Sequence, residues 1–179
     1  MEESAFNNLL REHKNQVFTY AFYVLRNRED AEDVTQEVFI KVWRNLEEID
    51  ENRCVAWMMK VAHNQCINLI RKHKGSSRHV EDLERAAAES IPAAGQSATD
   101  PALSFESRET QEKLLRALER LPVKTKSLLL LHYFQGLKYE TIGEMLGMNV
   151  NTVKVDVHRG RRLLRDILAN ECPEKVREG

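Results

Sequence analysis

Residues 138–168 read KYETIGEMLGMNVNTVKVDVHRGRRLLRDIL, and two helical patterns follow one another in them. Ile142, Met145 and Leu146 recur at helical spacing and are followed by Gly147. Val153, Val157 and Leu164 then mark the inner stripe of a second helix. Spacings of three and four residues put such side chains on one helical face. Gly147 suits the turn, because helix ends are often closed by a residue with positive φ. Asn149 is a residue type that caps the next helix. Gly143 stands where two closely crossing helices leave no room for a bulky side chain. Roughly opposite the apolar stripe lie Asn151, Val155, His158 and Arg162, flanked by Lys154 and Arg159. This is the layout of a helix-turn-helix, whose second helix enters a DNA major groove. Side chains on that face reach base edges and phosphates. A solvated face of an ordinary helical bundle also carries arginines, but it does not require the two glycines and the cap together.

The rest of the chain extends this reading to an all-α protein. It has 179 residues, 42% hydrophobic and 31% charged, with 7 Gly and 4 Pro, enough for one ordinary domain or two small ones. Apolar residues at helical spacing predict a helix over 4–25, a second from about Asp30 to Asn45 and a third from about Val55 to Lys72. The pattern dissolves between Gly75 and Ser104, a stretch rich in Ser, Ala and Pro that reads as a linker with one short helix near 80–88. Periodicity returns at Leu103, breaks at Pro122 and resumes as an apolar helix over 124–134 ending near Gly136. The expected architecture is two small helical domains joined by a flexible linker: 1–75, linker 76–104, 105–171 and a tail 172–179.

The net charge of −1 announces no polyanion partner, but the charge is segregated. Residues 1–53 sum to −5, 54–80 to +5, 81–120 to −4 and 121–170 to +4. Two basic segments on separate amphipathic stretches point to two DNA contacts. From Cys54 to Lys74 there is no Asp or Glu, which suits a face against backbone phosphates. Three cysteines without a signal peptide point to a reducing cytoplasm, and no apolar run approaches the ~20 residues needed to insert in a membrane. No glycine-rich phosphate loop, paired catalytic carboxylates or nucleophile triad appears, so no enzyme and no cofactor is expected. His63 and Cys66 form at most half a metal site, and Trp57, Met58 and Met59 read as core.

Residues 128–168 resemble the promoter-binding domain of extracytoplasmic-function sigma factors. Tyr133, Phe134, Gly136, Leu137, Tyr139, Ile142, Leu146, Gly147, Thr152, Val153, Lys154, Arg159 and Arg161 match that family's pattern as they stand. Residues 30–43, DAEDVTQEVFIKVW, resemble the family's polymerase-binding helix. Ala56-Trp57-Met58 and Ala62-His63-Asn64, ending in Arg71-Lys72, resemble its −10 helix. Two motif sets in the right order are far more specific than a lone helix-turn-helix, and they span nearly the whole chain outside the linker.

The resemblance implies a sigma factor that binds core RNA polymerase and promoter DNA. The acidic helix would meet the clamp helices of the largest polymerase subunit through Asp33, Gln36, Glu37, Phe39 and Lys41. The −10 element would be met by Ile49, Lys60, His63, Asn64, Arg71 and Lys72, the loop at 48–54 capturing a flipped base. The −35 element would be met by His132, Asn149, Asn151, Thr152, Lys154, Val155, His158, Arg159 and Arg162. An anti-sigma partner is expected because many members have one.

Several positions depart from the family pattern. His63, Asn68, His132, Val155, Asp156 and Gly160 stand where other residues are usual. Asp156 on the reading helix would repel phosphate unless paired, and the expected pairing is within the helix, to Arg159 or Lys154. Gly160 in a helix is expected to cost about 1 kcal/mol in propensity. Two rivals are a homodimeric helix-turn-helix regulator acting without polymerase, and a sigma-like protein that only sequesters an anti-sigma factor.

Overall fold

A computed structural model describes residues 2–74 and 101–171, and every regular element among them is helical. The expected helix near 80–88, the linker up to residue 100 and the tail 172–179 lie outside the described residues. Helices α1 (Glu2–Leu25), α2 (Arg28–Arg44) and α3 (Cys54–Lys74) form the N-terminal half. Helices α4 (Pro101–Glu119), α5 (Val123–Leu129), α6 (Tyr139–Leu146) and α7 (Val150–Glu171) form the C-terminal half.

In the N-terminal half, Val17, Tyr20, Ala21 and Val24 of α1 are buried with Ala31, Val34, Val38 and Val42 of α2. Met58, Met59, Ala62 and Cys66 of α3 complete this core, and Trp57 packs partly buried against it. Burying each large apolar side chain stabilises the fold by about 1.5–3 kcal/mol. The α1–α2 turn is tighter than expected. Helix α2 starts at Arg28 rather than Asp30, because the Asn27 side chain accepts the Asp30 N–H at 2.9 Å and caps it. Arg26 is held at φ +55°, and its N–H closes α1 on the Phe22 carbonyl at 2.8 Å.

The C-terminal half is organised around the apolar run Leu128–Leu131, all of it buried. Helix α4 begins at Pro101, inside the stretch expected to be linker, and proline suits the first position of a helix. The expected helix over 124–134 is regular only to Leu129, and Leu130–Phe134 widens into a π-helical turn. Its mark is the bond from Gln135 N–H to the Leu130 carbonyl at 3.0 Å, and the loop that follows is tied back by Leu137 N–H on the Leu131 carbonyl at 3.1 Å. The widened turn leaves Tyr133 and Phe134 about half exposed.

Gly160 has a role that helix propensity does not capture. A Cβ there would lie 2.5 Å from Thr125 Cγ2 and 3.4 Å from Leu129, so the missing side chain lets α7 approach α5 closely. The two halves are also not separate bodies. Helix α3 packs on α6, α1 packs on α5, and their buried residues merge into one core.

Candidate nucleic-acid and polymerase interfaces

The helix-turn-helix forms as the spacing predicts. Helix α6 buries Ile142 and Met145, and α7 buries Val153 and Val157. Gly147 closes α6 at φ 65°, ψ 34°, its N–H on the Gly143 carbonyl. Gly143 is required by close packing. A Cβ there would sit 2.8 Å from the Met148 carbonyl oxygen, which is backbone and cannot move aside. The Asn149 side chain accepts the Asn151 N–H at 2.9 Å. Its oxygen is therefore committed to the cap, and only the amide end is left to meet a phosphate.

Asn151, Thr152, Lys154, Val155, His158, Arg159 and Arg162 are all exposed on α7. Asn151, Val155, His158 and Arg162 follow one another at spacings of three and four and so share a face. Arg165 continues that face by three residues and is exposed too, though it was absent from the expected set. Its spacing from Arg162 was the signal that marked it. Val155, 47% exposed, is the apolar member of an otherwise polar face, where a thymine methyl would fit.

Asp156 corrects an expectation. Its partner is Lys124 on α5, Nζ to Oδ2 at 2.9 Å, and not Arg159 or Lys154. The bond ties the carboxylate back to the domain, and Asp156 is only partly exposed. Lys154 instead faces Glu140 at 3.9 Å. His132 is likewise engaged. Its Nδ1 donates to the Leu137 carbonyl at 2.9 Å and its ring stacks on Tyr139 at 4.2 Å. It braces the turn into α6 and leaves one ring nitrogen for any other partner.

Along α3, Lys60, Asn64 and Arg71 are exposed and share a face, with Lys72 exposed beside them. Asn68 joins this face, four residues after Asn64, and is a further polar candidate for base edges. His63 is turned partly away. Its Nδ1 is hydrogen-bonded to the Tyr20 hydroxyl at 3.0 Å across the α1–α3 contact. Burial pushes the Tyr20 phenol well above its ordinary range and holds the His63 imidazole below the usual histidine value. Ile49 is also drawn in, partly buried against the core, with its N–H on the Asn45 carbonyl at 3.1 Å.

The His63–Tyr20 pair gives an acid dependence with a definite sign. The folded state favours neutral His63, so the unfolded chain binds the extra proton first. The stabilisation is complete above the ordinary histidine range, about 6.5, and is lost as the pH falls toward the depressed folded value. Urea midpoints measured from pH 8 to pH 5 are expected to fall more steeply for the wild type than for His63→Gln. Parallel curves would remove His63 from the acid response.

On α2, Asp33, Gln36 and Glu37 are exposed and Lys41 is partly so. Phe39 is a correction: it is only 4% exposed, with its ring edge-on to Phe6 at 6.3 Å, and belongs to the core. Ile40 and Trp43 hold the exposed apolar positions instead, at 42% and 49%. Trp43 leans on Phe6 at 5.1 Å. The signal for them was their spacing from Gln36, which continues the polar face. Charged rim and apolar centre together make a surface suited to another helix.

Burial pushes the Cys66 thiol up to about 12. Among the described residues no cluster of His, Cys, Asp or Glu is placed to hold a metal, and no helix is long and apolar enough to cross a membrane.

Residues 9–76 match the family Sigma-70 region 2, and residues 111–164 match Sigma-70, region 4. The chain is 32% identical over 168 residues to the ECF RNA polymerase sigma factor SigW of Bacillus subtilis, covering 92% of this chain and 89% of that protein. It is 31% identical over 173 residues to the ECF RNA polymerase sigma factor SigE of Mycolicibacterium smegmatis, covering 95% of this chain but spanning 64% of that relative. The fold is similar to the sigma factor RpoE of Bartonella quintana, co-crystallised with the anti-sigma factor NepR, at a TM-score of 0.68 and 22% identity over 97% of this chain and 99% of that one. It is also similar to CnrH in complex with the cytosolic domain of CnrY, at a TM-score of 0.65 and 20% identity over 94% and 90%. With a region 2 half, a region 4 half and a whole-length relative above 30% identity, the chain belongs to the extracytoplasmic-function group of sigma-70 RNA polymerase sigma factors.

Proposed function

We propose that this chain directs core RNA polymerase to a two-part promoter serving a stress- or signal-specific set of genes. The acidic α2 face, with Ile40 and Trp43 in it, meets the clamp helices of the largest subunit. The acid-free α3 face, led by Asn64, takes the −10 element, and α7 reads the −35 element. The observation that carries this reading is the segregation of three exposed faces, one acidic and apolar, two basic, each on its own helix. Separate partners for the acidic and basic faces account for a net charge near zero in a DNA-binding protein. The similar fold solved with the anti-sigma factor NepR supports a protein partner of the anti-sigma kind for this chain as well.

Run-off transcription with purified core polymerase is the test. Start sites are expected downstream of one shared −35/−10 pattern. Asp33→Lys with Glu37→Lys is expected to lower core binding at least about 10-fold, because like charge replaces complementary charge at the contact. Unchanged core binding in that variant would remove α2 from the polymerase contact. Palindromic footprints without polymerase would instead favour the homodimeric regulator.

A further inference from the structure

The reading helix α7 has two unequal flanks. A helix about 10–12 Å across nearly fills a major groove about 12 Å wide, so each flank faces the phosphates of one strand. On one flank Lys154, Arg161 and Arg165 are exposed at spacings of seven and four. On the other, Thr152, Asp156 and Arg159 follow at spacings of four and three. There the cation that α7 itself offers is Arg159, and it has an anion beside it. A carboxylate on that flank repels the strand it faces unless another group screens it.

Lys124 changes this balance from a different helix. Its Nζ lies 2.9 Å from Asp156 Oδ2, and the lysine side chain is 63% exposed against 25% for the aspartate. The pair therefore turns its ammonium outward and its carboxylate inward. An ammonium has three donors, and one bond to Asp156 leaves two for another acceptor. Packing fixes where the ammonium stands. Gly160, four residues after Asp156 on the same side of α7, makes room for Thr125, the neighbour of Lys124. An ion pair this exposed adds little to stability, so the main consequence of the bond is the position it gives the charge.

We propose that Lys124 is a DNA contact supplied by α5. It meets a phosphate of the −35 element on the Thr152–Arg159 flank of α7, and Asp156 is the positioning residue that holds its ammonium there. The reading helix then has cations toward both strands, one set its own and one partly borrowed. The departure at Asp156 becomes part of the contact, acting through Lys124. The proposal deepens the promoter-binding reading above and rests on it.

The test uses the full chain with core polymerase, on a fragment carrying a promoter mapped by run-off transcription. Lys124→Gln is expected to weaken binding about 3- to 10-fold, alike for every −35 sequence, and to lower the slope of log K against log salt by about 0.9. Lys124→Arg is expected to keep both values near wild type. Melting temperatures within about 3 °C of wild type are expected, so the lost binding is not lost fold. Neutral methylphosphonates, placed one at a time along both −35 strands, are expected to reveal one phosphate that matters to the wild type and no longer matters to Lys124→Gln. With Asp156→Asn the ammonium is no longer held, and that sensitivity is expected to spread to neighbouring phosphates. Sensitivity confined to the same phosphate overturns the positioning role. A lysine that only braces α7 or only screens Asp156 predicts a wild-type slope for Lys124→Gln with Asp156→Asn, and that result overturns the contact. The proposal expects the slope to stay low, because the phosphate still lacks its partner. An unchanged slope in Lys124→Gln, with a wild type that discriminates −35 sequences, overturns the contact alone. A wild type whose binding ignores the −35 sequence overturns the promoter reading and the contact with it.

Discussion

Replacing Lys154, Arg159 and Arg162 together by Ala is expected to weaken promoter binding about 100-fold or more near physiological salt. Each of these side chains is exposed on α7, and none contributes to the buried stripe of Val153 and Val157. Charged hydrogen bonds contribute about 1.5–3 kcal/mol each, so three lost at the low end exceed the ~2.7 kcal/mol that a 100-fold change represents. The signature is in the salt dependence. Three fewer phosphate contacts reduce the slope of log K against log salt by about 2.7. Fluorescence anisotropy titrations between 50 and 300 mM salt read both numbers on one promoter fragment. A variant with an unaltered slope would place the phosphate contacts elsewhere. Val155→Ala removes no charge and is expected to leave the slope alone, changing affinity about 2- to 10-fold at one base position only.

Gly143→Val is expected to be the most damaging single change in the C-terminal half. The first added carbon already meets the Met148 carbonyl oxygen at 2.8 Å and Val150 Cγ2 at 3.4 Å. The nearer obstacle is backbone at the turn itself, so relief requires α6 and α7 to move apart. Overpacking of this kind typically costs about 1–3 kcal/mol, enough to lower the melting temperature by about 2–12 °C. Displacement of α7 from α6 would also misplace the reading face, so −35 binding is expected to fall with stability. Circular dichroism melting and footprinting separate the two effects. A variant that melts like the wild type yet still protects the −35 region would show that the turn tolerates the side chain.

The readings that survived contact with the structure are local ones. Ile142 with Met145, and Val153 with Val157, are separated by three or four residues, and a helix converts that spacing into a face without help from elsewhere. The Gly147 turn and the Asn149 cap likewise depend on neighbours within a few residues. The exposed polar faces of α2, α3 and α7 follow from the same periodicity. Where expectation missed, the deciding partner lies far along the chain. Phe39 occupies a position that helical spacing alone leaves between face and core, and Phe6 at the other end of the half buries it. Ile40 and Trp43 then remain outside. Asp156 had cations available on its own helix, but Lys124 on α5 lies at 2.9 Å. His63 meets Tyr20, far along the chain, while His132 is the exception, its partner being the Leu137 carbonyl in the turn that follows.

By itself the sequence determined the all-α class, the helix-turn-helix, the segregation of charge onto three helices and the family. Each is written in spacing, capping and composition, which act over a few residues or add up along the chain. Only the tertiary structure decided that Gly160 is a packing contact with Thr125, that Lys126 is buried against the end of α1, and that the two halves meet. The physical reason is that burial, ion pairing and steric fit depend on which segments are brought together. A lysine in an apolar run and a glycine in a helix look like blemishes in one dimension. In three dimensions one ties α5 to the end of α1, and the other makes room for Thr125.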